Sequence, residues 1–160
     1  MDYIKEPRLK LIYEIMSEKS RSAQAFTQYM NANREYGQGD ILHMREAHFI
    51  VAVGPGEGIT MSEIAEKLFV TLGAVSQTAG RLEKKGYILR KRDPGNHRQI
   101  VAVLTPKGET FYQQHLRYDS VQFATLDANY FSRFTEEQLC LIRDYEALMY
   151  TAFTKDSTKP

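Results

Sequence analysis

Thr60 to Gly86, TMSEIAEKLFVTLGAVSQTAGRLEKKG, reads as two short capped helices separated by a break. Thr60-Met-Ser-Glu63 is a capping box: the threonine oxygen accepts from the Glu63 amide while the glutamate reaches back, and Ile64 and Leu68 supply one apolar face. Phe69 and Val70 form the break. Thr71 then caps a second helix running to about Lys85, which Gly86 ends as a left-handed residue. The second helix buries Val75, Ala79 and Leu82 and leaves Gly73, Ser76, Gln77, Gly80 and Arg81 outward or flanking, so its exposed face is small and polar. Gly80 costs about 1 kcal/mol of helix propensity relative to alanine, which points to helix packing or to a closely approaching partner.

Directly after this pair, Tyr87 to Arg92 and Gln99 to Leu104 read as two strands joined by Asp93-Pro-Gly-Asn-His-Arg98. Aspartate, proline and glycine in its first three places suit a type II turn. The result is a hairpin with a basic tip. Charge is concentrated in the same region. The chain of 160 residues has a net charge of only +1, yet Arg81 to Arg98 carries seven basic residues and two acidic ones, a balance of +5. Residues 1–40 balance six basic against six acidic groups, and from Ser120 onward four basic groups face six acidic ones. The central segment is either a solvated charged face or the footprint of a polyanion.

Upstream, Leu9, Ile12, Met16, Ala23, Phe26 and Met30 recur at helical spacing and predict one long helix from Arg8 to about Met30, followed by a polar loop or frayed end over Asn31 to Gly39. Met44 to Val53 is a short helix, or a strand if its run Phe-Ile-Val-Ala-Val dominates; Gly54-Pro-Gly56 ends it either way. Downstream, Thr105-Pro106 opens a helix reaching as far as Tyr130. Thr135-Glu-Glu-Gln138 caps a last helix marked by Leu139, Ile142, Tyr145, Met149 and Ala152, with a frayed tail from Lys155 to Pro160. The aromatics Phe111, Tyr112, Tyr118, Phe123, Tyr130, Phe131 and Phe134 read as core or interface.

With 42% hydrophobic and 26% charged residues, composition is that of a folded globular chain. No apolar run exceeds five residues, against roughly 20 for a membrane span, and the first ten residues lack an export signal, so a cytoplasmic protein with no membrane partner is expected. Cys140, the single cysteine, sits between two leucines and reads as a buried structural thiol rather than a redox sensor. There is no Gly-rich phosphate loop, nucleophile elbow or paired-metal motif, and neither enzymatic activity nor a cofactor is expected.

Two capped helices and a basic hairpin make a winged helix-turn-helix. The fold class expected is therefore mainly α with a small β-hairpin wing, flanked by N- and C-terminal dimerisation helices. Short polar side chains let a helix approach base edges in the major groove, while cations reach the phosphates on either side. The minor groove's negative potential favours a slim basic tip. On this reading Thr71, Gly73, Ser76, Gln77 and Arg81 face the major groove, Lys84, Lys85, Arg90 and Arg92 contact phosphates, and Asn96, His97 and Arg98 form the wing tip.

These residues resemble the MarR family of bacterial transcriptional regulators across nearly the whole chain. The resemblance rests on Ile64-Ala65 with Leu68, Thr71 to Leu82, Leu82-Glu-Lys-Lys-Gly86, then Arg90, Arg92, Asp93 and Arg98, and Leu104-Thr-x-x-Gly108. It implies an obligate homodimer whose first and last helices intertwine, with Arg98 entering the minor groove. Two positions depart from the pattern. Asn96 stands where the family commonly has aspartate, and Gln77 where it has arginine after the Val-Ser pair; both bear on sequence preference. Phe69 to Val75 with Lys85-Gly-Tyr-Ile88 resembles in particular the subgroup that represses fatty-acid synthesis genes, which implies an acyl-type effector.

The expected organisation is a dimerisation helix over 1–40, the winged module over 41–105 and C-terminal dimerisation helices over 106–160. The expected function is that of a repressor binding double-stranded DNA at a pseudo-palindromic operator, modulated by a small ligand. His48, on the helix leading into the module, and His115, on the helix leaving it, are the candidate ligand residues. His43 and His48 are five apart and miss the spacing that places two imidazoles on one helix face. A metal- or redox-responsive regulator of the same fold, or a winged helix used for protein contacts, are the alternatives.

Overall fold

Ile50, Ile64, Val75, Ala79, Leu82 and Ile88 are buried almost completely and mark where three short helices meet a small sheet. Each of these side chains except the smaller Ala79 contributes about 1.5–3 kcal/mol through burial. A computed structural model describes residues 6–36, 41–93, 95–96 and 99–156. The chain divides into two compact units, one ending at Leu116 and one beginning at Arg117.

Within the first unit, α1 (Pro7–Asn31) opens with proline in its first turn, where the missing N–H costs no intrahelical bond. It buries none of its residues: Leu9, Ile12, Ile15 and Phe26 are exposed. The polar stretch expected as a loop over 31–39 instead contains β1 (Asn33–Glu35), paired antiparallel with β2 (Ile41–His43). Backbone pairing builds this ladder, and a three-residue polar strand leaves no side-chain pattern to read. The remainder of that loop, 37–39, lies outside the described residues.

Next, α2 (Met44–Val53) is a helix, and Gly54 ends it at φ 61°. The chain then passes Gly58, at φ 114°, where a Cβ would meet Val103 Cγ1 at 2.6 Å. Only glycine fits so close to the sheet in that conformation. There follow β3 (Ile59–Thr60), α3 (Met61–Leu68), α4 (Leu72–Lys84), β4 (Ile88–Arg92) and β5 (Ile100–Leu104). The strands form an antiparallel sheet in the order β3-β5-β4, with Ile59 opposite Ala102 and Arg90 also opposite Ala102 on the other side. The hairpin matches the expected one. The two-residue β3 was not legible in the sequence.

The capping boxes form as read. Glu63 N–H donates to Thr60 Oγ1 at 3.2 Å and Thr60 N–H to Glu63 Oε2 at 2.9 Å. The Thr60 hydroxyl also donates to Glu63 Oε2 at 2.6 Å, and that bond, followed by the one from the Thr60 amide, holds the Glu63 carboxyl below its ordinary range. Between α3 and α4, Phe69 takes the left-handed conformation at φ 53°, which costs a residue with a Cβ about 1–2 kcal/mol. Gly86 stops α4 at φ 77°, and Tyr87 N–H donates back to Leu82 O at 3.0 Å.

One residue, Thr105, separates β5 from the helix α5 (Pro106–Leu126). Thr105 Oγ1 donates to Gly86 O at 2.7 Å and accepts from Gly108 N–H at 3.1 Å. A Cβ on Gly108 would fall onto the Tyr87 carbonyl, so glycine is required there.

In the second unit, the end of α5 passes into a π-helical turn over Asp127–Phe131, closed by Ser132 N–H to Asp127 O at 2.8 Å, so helical structure reaches slightly beyond the expected Tyr130. Thr135 and Gln138 form the expected cap of α6 (Glu136–Asp156). The fraying expected from Lys155 is not seen at 155–156, where the helix continues; residues 157–160 lie outside the described set. Cys140, expected to be buried, is exposed. Its flanking leucines do not share its face. The residues that do, Glu136, Glu137, Arg143 and Asp144, are charged. Of the aromatics read as core or interface, Phe111 is buried, whereas Phe123, Tyr130, Phe131 and Phe134 are exposed. Among the described residues no helix is long and apolar enough to cross a membrane.

Candidate nucleic-acid interface

One side of α4 is anchored by Val75, Ala79 and Leu82, which fixes the opposite side outward. Gly73, Ser76 and Gln77 are exposed on it. Thr71 is exposed too, but its Oγ1 accepts from the Ala74 amide at 3.2 Å, so the hydroxyl starts the helix. The Gly80 position has open space where a Cβ would stand, with nothing within 4 Å among the described residues. Packing among the described residues therefore does not explain that glycine.

Three of the cations are paired with carboxylates. Lys85 Nζ lies 2.8 Å from Glu46 Oε2, and Arg81 Nε lies 3.7 Å from Glu46 Oε1. Arg81 also donates through Nη2 to Thr78 Oγ1 at 3.2 Å. Arg90 is paired with Glu83, and that side-chain hydrogen bonding, followed by backbone and charge contributions from Arg90, holds the Glu83 carboxyl below its ordinary range. Lys84 and Arg92 are exposed. At the wing, Asn96 N–H donates to Asp93 O at 3.2 Å and Gly95 N–H to Asp93 Oδ1 at 2.8 Å, so the aspartate organises the turn. The expected type II geometry depends on Pro94, which lies outside the described residues, as do His97 and Arg98.

Sequence reasoning missed Glu46 and Glu83. A carboxylate three residues into an apolar helix was the available signal for Glu46. Its partner Lys85 is 39 positions away, beyond any local pattern.

Beside α4 lies a cavity of about 420 Å³ whose walls include Phe26, Met30, Arg45, His48, Gln77 and Arg81. His48 and His115 come together with ring centroids 5.7 Å apart. His48 lines the cavity, whereas His115 is fully buried among aromatic rings, stacked on Tyr36 at 5.1 Å and edge-on to Phe111 at 5.8 Å. Among the described residues no three of His, Cys, Asp and Glu group as a metal site would require.

Residues 42–99 match the model of the MarR family. The chain is 30% identical over 105 residues to the uncharacterized HTH-type transcriptional regulator YhjH of Bacillus subtilis, a stretch covering 66% of this chain and 59% of that protein. It thus spans about three fifths or less of the curated relatives' own length. Streptococcus pneumoniae FabT, solved in complex with DNA, superposes with a TM-score of 0.60 at 24% identity, covering 94% of this chain and 99% of that one. Lactococcus lactis ZitR in complex with DNA superposes with a TM-score of 0.63 at 18% identity, covering 86% and 97%. At these identities the likeness to the solved structures is one of fold. The winged helix-turn-helix, residues 42–99, is thus the part of this chain that matches the MarR family.

Proposed function

We propose that this protein is a transcriptional regulator, a repressor, that binds double-stranded DNA at a pseudo-palindromic operator as a homodimer. The outward face of α4 carries the reading: Gly73, Ser76 and Gln77 are exposed, small and polar, with Lys84 and Lys85 at the helix end. Such a face approaches base edges while the cations meet phosphates. The relatives support it, since YhjH is described as a transcriptional regulator and FabT and ZitR were solved with DNA bound. A second copy would cover the exposed apolar residues of α1 and those of α6, Leu141, Leu148 and Phe153. Two α4 helices related by a two-fold axis then meet successive major grooves about 34 Å apart. The organisation proposed is a dimerisation helix over 1–40, the winged module over 41–105 and dimerisation helices over 106–160. Regulation in the cytoplasm, without enzymatic activity, completes the reading.

Fluorescence-anisotropy titration against the DNA upstream of the protein's own gene and a random duplex pool, at two salt concentrations, tests it. Selective binding that weakens steeply with salt is expected. Equal, weak binding to both overturns it.

The cavity beside α4 supports modulation by a small ligand. Apolar walls with Arg45, His48 and Arg81 suit an anionic amphiphile of acyl type, and such a ligand would touch Gln77 and Arg81 directly. Long-chain acyl ligands should raise the melting temperature, and no shift at saturating concentration counts against this effector class.

A further inference from the structure

Glu46 is an ionisable side chain on the buried side of α2, and it is 1% exposed. Taking a carboxylate out of water costs several kcal/mol unless its partners replace the lost hydration. Oε2 has two donors, the His43 amide at 3.1 Å and the Lys85 ammonium at 2.8 Å. Oε1 accepts no hydrogen bond among the described residues; it faces Arg81, whose Nε is 3.7 Å away, too far for such a bond. Arg81 is thus restrained by charge, with its side chain still 57% exposed, while Lys85 is tied directly.

A well-packed apolar residue would fill the same space without the desolvation cost. Besides capping α2 through the His43 amide, the carboxylate gives the two cations a fixed direction, which an apolar residue does not. We propose that Glu46 is the positioning residue of α4: it holds Lys85 by a hydrogen-bonded ion pair and draws Arg81 back by charge, so that both meet the duplex in one register. This rests on the DNA-binding reading above. The same oxygen is linked to the end of α1, because His43, whose amide it accepts, places Nδ1 3.1 Å from Asn31 O.

The proposal sets two effects in opposite directions. Removing an acidic group beside the cations strengthens binding to any duplex, whereas losing their placement weakens discrimination between duplexes. A carboxylate that served stability alone would lower the melting temperature and leave discrimination untouched.

The test is anisotropy titration of wild type, Glu46→Gln and Glu46→Asp against the operator duplex and a random pool, with melting temperatures recorded. Glu46→Gln should bind the random pool at least as tightly as wild type while its operator-to-random ratio falls about tenfold. Glu46→Asp, which keeps the charge at shorter reach, should recover part of that ratio, and it carries the test if the glutamine variant does not fold. A folded variant with the wild-type ratio overturns the role of Glu46. Absence of operator preference in the wild type instead overturns the DNA-binding reading, and shows before any substitution is made.

Discussion

Arg90 grips Glu83 through three donors: Nη2 at 2.6 Å and Nε at 2.9 Å to one carboxylate oxygen, and its own backbone amide at 3.2 Å to the other. A cation expected on phosphate is thereby engaged at the junction of α4 and β4. Replacing Glu83 with glutamine should release it. Duplex affinity should then rise a few-fold, and the dependence of log K on log salt should steepen by about one unit. An unchanged slope would show that Arg90 does not reach the phosphates.

The same pair sets a pH dependence. The Glu83 carboxyl is depressed by its bonds to Arg90, and Glu63 by its bonds to Thr60. For an acid whose folded-state pKa is lowered, the stabilisation is complete above the ordinary glutamate range and disappears as pH falls through the depressed value. Melting curves of wild type and a Glu63→Gln, Glu83→Gln double variant should therefore differ at neutral pH and converge in acid. A gap that persists there would contradict the assignment.

Two glycines should respond oppositely to alanine. Gly108→Ala drives a methyl group into the Tyr87 carbonyl and should cost about 3 kcal/mol or more. Gly80→Ala meets open space within α4 and should stabilise the free chain by about 1 kcal/mol. If the duplex approaches closely at Gly80, that same variant should bind DNA more weakly. Unfolding midpoints and titrations of both variants measure each effect.

Gln77, where the family commonly has arginine, is the residue whose replacement should change preference rather than strength. Gln77→Ala should relax discrimination at one base pair by about 1–3 kcal/mol. Arg98→Ala should lower affinity on every duplex containing the operator's flanks. Unchanged affinity of Arg98→Ala would favour a winged helix used for protein contacts.

Leu141 and Leu148 lie seven residues apart on α6 and are both exposed. Charging them together, Leu141→Glu with Leu148→Glu, should shift sedimentation from dimer to monomer and weaken operator binding. A variant that remains dimeric would move the interface elsewhere.

Local partners made parts of this molecule legible. The two capping boxes link residues three apart, and Gly86 announces the end of α4 by residue type alone. Thr105 and Gly108, quoted as a motif, acquire a physical reason only when Gly86 O and the Tyr87 carbonyl stand against them. Features built from distant partners stayed invisible: β3 exists because β5 lies beside it, and Glu46 is tolerated because Lys85 arrives 39 positions later. Cys140 misled for a different reason. Adjacent leucines suggested burial, but neighbours along a helix point in different directions, and only the residues three and four away share a face. For the candidate interface, the polar side of α4 was readable; which cations were already engaged was not.

The join between the winged module and α5 has no slack. Only Thr105 separates β5 from α5, its hydroxyl is bonded to Gly86 O, and Gly108 rests against the Tyr87 carbonyl. The first turn of α5, the start of β4 and the end of α4 are therefore joined directly, like a key cut from one piece of metal. One extra base pair between half-sites rotates the second by about 35° around the duplex. On the proposed reading of a dimer on paired half-sites, this joint would not absorb such a rotation by twisting, and tolerance to operator spacing would fall to the remaining parts of the dimer.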